Sequence, residues 1–132
     1  MQHHLTEAIR LRPNFPEAQN AFGIYFLQQR KLDDAIFHFS EAIRLKPDYP
    51  VAHNNLATAF GYKGMFNEAI SAYMQAVRVD PGYAEAHKNL GVLLATQGRT
   101  NDAIAHFADA LRIAPNNAVA REWLTKLKNI PQ

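Results

Sequence analysis

TEAIRLRPNFPEA (residues 6–18) and SEAIRLKPDYPVA (residues 40–52) are nearly the same phrase, 34 positions apart. Two further versions follow at that interval, QAVRVDPGYAEA from Gln75 and DALRIAPNNAVA from Asp109. Pro13, Pro47, Pro81 and Pro115 form one column with this spacing. Ala8, Ala42, Ala76 and Ala110 form another, and Arg10, Arg44, Arg78 and Arg112 a third. A fixed period of this size is the mark of a stacked repeat. One small unit cannot bury its own apolar face, stacked copies can, and equal stacking demands equal spacing.

Three full units follow: 16–49, 50–83 and 84–117. In each, an apolar residue (Phe22, Leu56, Leu90) precedes a small one (Gly23, Ala57, Gly91), and a second apolar residue follows (Phe26, Phe60, Leu94). Ala35, Ala69 and Ala103 come next, each with an aromatic four residues on: Phe39, Tyr73 and Phe107. Gln19, Phe22, Gly23 and Phe26 fall at i, i+3, i+4 and i+7, one stripe of a helix. Ala35, Phe39, Ala42 and Ile43 make the stripe of a second. Gly64 and Gly98 are placed to end the first helix of their units in a left-handed conformation. Arg30 stands in that place in the first unit, which predicts a different turn there. Asp33, Asn67 and Asn101 are expected to cap the second helices, the prolines to close them, and the matched arginines to suit the last-turn dipole.

This pattern resembles the tetratricopeptide repeat, W-x2-L-G-x2-Y, then A-x3-F, then P, over 34 residues. The resemblance runs along almost the whole chain. It departs at the Trp slot, held by Gln19, His53 and His87. It implies an all-α, right-handed solenoid of antiparallel helix pairs. Residues 2–12 match a second helix without its first, and 118–129 a first helix without its second. Arg121, Glu122, Lys126 and Lys128 give the latter the polar outer face of a capping helix, with Trp123 and Leu124 toward the last unit. At the other end Leu5, Ala8 and Ile9 lack the helix they would pack on. That predicts a piece of a longer array and a concentration-dependent homodimer or helix exchange through the N-terminal helix.

The bulk composition excludes several functions. The 132 residues carry fourteen Lys and Arg against twelve Asp and Glu, a formal charge of +2, scattered along the chain. That argues against nucleic acid as a partner. There is no cysteine, hence no disulfide, thiolate nucleophile or Cys-based zinc site. No apolar run approaches the ~20 residues that cross a bilayer, and MQHHLTEAIR has no signal-peptide core. The expectation is a soluble chain with no direct membrane contact and the cytoplasm as default compartment.

Neither a G-x-x-x-x-G-K phosphate loop nor a G-x-S-x-G elbow is present. His4, His38 and His106 share one column and His53 and His87 another. Equivalent positions in neighbouring units sit about 10 Å or more apart, too far for ligands that each lie ~2.1 Å from one ion. No metal site, cofactor or catalytic residue is expected.

The resemblance implies that the first helices line a concave groove for a protein or extended peptide segment. The candidate contacts are Asn20, Ile24, Asn54, Asn55, Thr58, Tyr62, Lys88, Asn89 and Val92. Two family modes can be compared with them. A carboxylate clamp for acidic C-terminal tails is met by Asn55 and Lys88, but Asn20, Ile24 and Val92 stand where Lys, Asn and Arg are wanted. An asparagine ladder, as in the arm of O-linked N-acetylglucosamine transferases, is met by Asn55 and Asn89 and broken by Ala21. An Asn amide both donates and accepts, so it matches a peptide unit whatever its side chain. Phe37 is expected to pack beneath a neighbour on the convex side. Phe15, Tyr49 and Tyr83 are expected between units, and Tyr62 either anchors a ligand or covers the adjacent helix. The function expected is non-catalytic protein binding. The alternative is a spacer or self-association module within a larger protein.

Overall fold

The computed structural model describes residues 15–129. Among them are seven α-helices and no strand. Helices α1 (Pro16–Gln28) and α2 (Leu32–Leu45) form a first pair, α3 (Pro50–Tyr62) and α4 (Phe66–Val79) a second, and α5 (Ala84–Thr96) and α6 (Thr100–Ile113) a third. Helix α7 (Ala118–Lys128) lies against both α5 and α6. Turns of three residues join the helices within a pair and turns of four join one pair to the next. Such short connections make successive helices antiparallel. Each helix packs chiefly on its pair partner and then on the next pair, the nearest-neighbour layout of a solenoid. The predicted helix at 2–12, and with it the predicted dimer contact, lies outside the described residues.

Local chemistry explains the boundaries. Pro16 and Pro50 occupy first-turn positions, where the missing N–H would have had no partner. Each first helix then ends in the same two backbone bonds. Lys31 N–H reaches Phe26 O and Arg30 N–H reaches Leu27 O, both at 3.0 Å. Met65 and Gly64 repeat the pattern on Phe60 and Gly61, and Arg99 and Gly98 on Leu94 and Ala95. This double closure needs a left-handed residue, supplied by Gly64 (φ 83°) and Gly98 (φ 79°). Arg30 adopts it too, at φ 59°. Contrary to the expectation from its sequence, the first turn therefore does not differ; the two backbone bonds impose the conformation on an ordinary side chain.

The expected caps at Asp33, Asn67 and Asn101 do not form. The closing turn starts each helix early, so these residues fall at its second position, after Lys31, Met65 and Arg99, none of which caps with its side chain. Asp33 instead pairs with Lys63 of the next helix pair. Asn117 does cap, its Oδ1 accepting from Ala120 N–H at 3.1 Å.

The core follows the repeat columns. Ala35, Ala69 and Ala103 are fully buried, as are Ala42, Ala76 and Ala110. Phe39 and Phe107 are also fully buried, each against a glycine. A Cβ on Gly23 would come within 2.5 Å of the Phe39 ring, and one on Gly91 within 2.8 Å of Phe107. Glycine here lets a helix backbone meet an aromatic face. Trp123 stacks on Phe107 with ring centroids 5.9 Å apart, so α7 packs on the third pair. Among the described residues no helix is long and apolar enough to cross a membrane.

Candidate functional site

The first helices of the second and third pairs border a hollow of about 590 Å³. Of the nine residues expected in a groove, six line it: Asn54, Thr58 and Tyr62 from α3, and Lys88, Asn89 and Val92 from α5. Asn55 lies half-buried beside it, while Asn20 and Ile24 belong to α1, Asn20 buried and Ile24 at the surface. Tyr62 is 55% exposed, and its ring carries the Arg30 guanidinium at 4.2 Å from the centroid. Thr58 donates to the Asn54 carbonyl at 3.1 Å and meets the Tyr73 hydroxyl at 2.8 Å. Burial pushes the Tyr73 phenol up, against the opposing pull of that hydrogen bond, so it stays neutral. Lys88 is paired with Glu85 at 2.8 Å, which leaves the hollow close to neutral.

Sequence reasoning treated the asparagines as ligand contacts and missed their role between helix pairs. Asn55 Nδ2 donates to Asn20 Oδ1 at 3.1 Å, and Asn89 Nδ2 donates to Asn54 Oδ1 at 3.3 Å. Asn20 and Asn54 are buried in these seams and also interact with the Tyr49 and Tyr83 hydroxyls. The signal was available: Asn20 with Asn55 and Asn54 with Asn89 are both 35 apart, one repeat plus one residue. One amide hydrogen of Asn55 and of Asn89 is thus committed. An Asn side chain has a second N–H and a carbonyl oxygen to offer.

A family profile described as "Tetratricopeptide repeat" matches residues 54–118, and one described as "TPR repeat" matches residues 24–64. This chain belongs to the tetratricopeptide repeat family. Among solved structures, the first tetratricopeptide domain of Spaghetti (RPAP3), bound to the HSP90 peptide SRMEEVD, is 25% identical with a TM-score of 0.82; the match covers 86% of this chain and 90% of that one. The Arabidopsis OM64 tetratricopeptide domain is 24% identical with a TM-score of 0.82, covering 86% of this chain and 93% of that one. A chain of the APC/C hetero-tetramer Cut9–Hcn1 is 22% identical with a TM-score of 0.88, covering 96% of this chain and 26% of that one. The last two likenesses concern the fold alone. Comparison with curated proteins gives no match.

The Trp slot of the tetratricopeptide pattern faces the second helix of its own pair. Gln19 Oε1 accepts from His38 Nδ1 at 2.7 Å. His53 meets the Pro47 carbonyl through Nε2 at 2.8 Å. His87 meets the Pro81 carbonyl through Nε2 at 3.1 Å and His106 Nδ1 through its own Nδ1 at 3.2 Å. Histidines of one column do lie a helix pair apart. The expectation of no metal site overlooked that two different columns meet within each pair, 19 residues apart, as His87 and His106 do. With Asp109 they are the one group of three His, Cys or acidic residues among those described whose ligand atoms fall within 4.8 Å of one another. Burial, then the neighbouring His87, push the His106 imidazole below its ordinary value, with Asp109 and Asp102 opposing, so it is neutral at neutral pH. Phe37 does not pack beneath a neighbour: it is 59% exposed and touches only the edge of His38 among ring partners.

Proposed function

We propose that the hollow between α3 and α5 binds an extended, largely uncharged segment of another protein, and that the chain is a non-catalytic binding module. The exposed Tyr62 ring beside amide and hydroxyl groups carries this reading. Stacked helix pairs offer extended concave surfaces of this kind. An aromatic at the edge of such a surface is a typical energetic anchor, and the Asn89 amide can both donate to and accept from a peptide backbone. The similar domain bound to SRMEEVD shows a tetratricopeptide domain holding a peptide with two adjacent glutamates and a terminal aspartate region. Here Lys88 is neutralised by Glu85, and Val92 contributes no charge, so an uncharged segment fits better than an acidic tail.

The test is a peptide-library screen on the wild type, followed by titration of the best binders against Tyr62→Ala and Asn89→Ala. Tyr62 is exposed, so its truncation should leave the unfolding transition nearly in place. Each change is expected to weaken binding by about tenfold, the worth of ~1.4 kcal/mol. Binders indifferent to both changes, or a screen yielding only acidic, salt-sensitive peptides, would sink the reading.

A further inference from the structure

We infer that His87, His106 and Asp109 form a binding site for one divalent transition-metal ion of the zinc class, tying α5 to α6 with a coordination position left for water. The two imidazoles meet edge to edge, with Nδ1 atoms 3.2 Å apart and ring centroids 5.4 Å apart. Two nitrogens each ~2.0–2.1 Å from a tetrahedral ion lie about 3.3 Å from one another. The observed spacing fits two ligands on a common ion; without the ion it is the length of a hydrogen bond from His106 Nδ1–H to His87 Nδ1, and binding would move that proton off His106 Nδ1. Asp109 Oδ2 lies 4.0 Å from His87 Nδ1, within a small rotation of the same centre. Two nitrogens and a carboxylate oxygen suit zinc and its neighbours better than calcium or magnesium.

The surroundings orient these groups. A carbonyl oxygen only accepts, so His87 Nε2 carries the proton donated to Pro81 O at 3.1 Å. That leaves the Nδ1 lone pair aimed at His106. A backbone carbonyl on the far nitrogen is the usual outer support of a metal-bound imidazole. His87 is buried, which fixes the ring. The other Asp109 oxygen faces the Arg112 guanidinium at 3.6 Å, which holds the carboxylate in place. His106 is half-buried and the Asp109 side chain 44% exposed, so an ion can enter from solvent.

The second helix pair is a built-in control. His53 is held on the Pro47 carbonyl in the same way, at 2.8 Å. Opposite it stands Ala72 in place of His106, and Gln75 in place of Asp109. A hollow of about 310 Å³ borders His53, Ala72 and Gln75, room for an added imidazole.

The experiment is Zn²⁺ titration of the full chain against a chromophoric chelator, with Co²⁺ absorption to read the coordination. The wild type should take one ion, with the intense visible bands of a four-coordinate site. His106→Ala should abolish that uptake. Asp109→Asn, which alters an accessible side chain and preserves the fold, should weaken it about tenfold or more. Ala72→His with Gln75→Asp should add a second ion. A wild type that takes up no Zn²⁺ would overturn the proposal. So would one ion whose affinity both His106→Ala and Asp109→Asn leave unchanged, which would place it elsewhere on the chain.

Discussion

The second and third helix pairs share their backbone turns, their proline positions and a histidine held on a proline carbonyl, yet fill the space between their helices differently. In the third pair Gly91 lets α5 settle onto the fully buried Phe107 ring, and Trp123 stacks on the far side. In the second, Ala57 takes the glycine's place and the aromatic is Tyr73, whose hydroxyl reaches Thr58 at the hollow. The third pair thus has a wholly apolar centre and a polar cluster beside it. The second ties its centre to the candidate binding surface and leaves the neighbouring space open. One backbone supports both, because the columns constrain size and polarity rather than identity.

Substitutions can break or sharpen this contrast. Phe107→Ala should be the most damaging, losing about 3–5 kcal/mol in urea unfolding, as for truncation of a buried aromatic. A loss below about 1 kcal/mol would mean that Phe107 is not the centre of the third pair. Gly91→Ala drives a methyl into the same ring and should cost about 1–3 kcal/mol; the reverse change in the second pair, Ala57→Gly, should cost about 1 kcal/mol through helix propensity. If Gly91→Ala proved neutral, the close approach of α5 to Phe107 would be wrong. Tyr73→Phe should remove about 0.5–1.5 kcal/mol with the Thr58 bond, while no comparable hydroxyl exists at Phe107. Arg30→Gly should raise stability by up to about 1 kcal/mol, because a left-handed residue with a Cβ is strained, less whatever the stacking on Tyr62 returns.

The smallest effect concerns pH in the first pair. Burial lowers the His38 imidazole below its ordinary 6.5, more strongly than Asp34 and Glu41 raise it. As pH falls through 6.5, the unfolded chain takes up this proton before the folded one does. Stability is therefore full above that value and declines as pH drops toward the folded pKa. His38→Gln should flatten the pH dependence of the unfolding midpoint as pH falls below about 6.5. An unchanged slope would show that His38 is not the group responsible.

Much of this architecture was legible in the 34-residue columns. Phe22, Gly23 and Phe26 announced one helix stripe, Ala35, Phe39 and Ala42 the other, and Trp123 the closing helix. The positions that misled are those where local preference yields to geometry. Arg30 is unsuited to a left-handed turn by its side chain, but the two backbone bonds around it decide. Asp33 and Asn101 are good cap residues two positions too late. The groove was legible as one face of the first helices, but not the seam chemistry of Asn20 and Asn54. Comparing equal positions hides partners that are not equal, whether 35 apart across a seam or 19 apart within a pair.

The seams also say which segment can be copied. A seam needs an acceptor amide from the column of Asn20 and Asn54, and a donor amide from the column of Asn55 and Asn89. The first unit has Asn20 but Ala21 beside it, and the third has Asn89 but Lys88. Only residues 50–83 carry both, as Asn54 and Asn55. A gene duplication of that stretch would insert a unit already fitted to its neighbours on either side. The middle of this array is its natural point of growth.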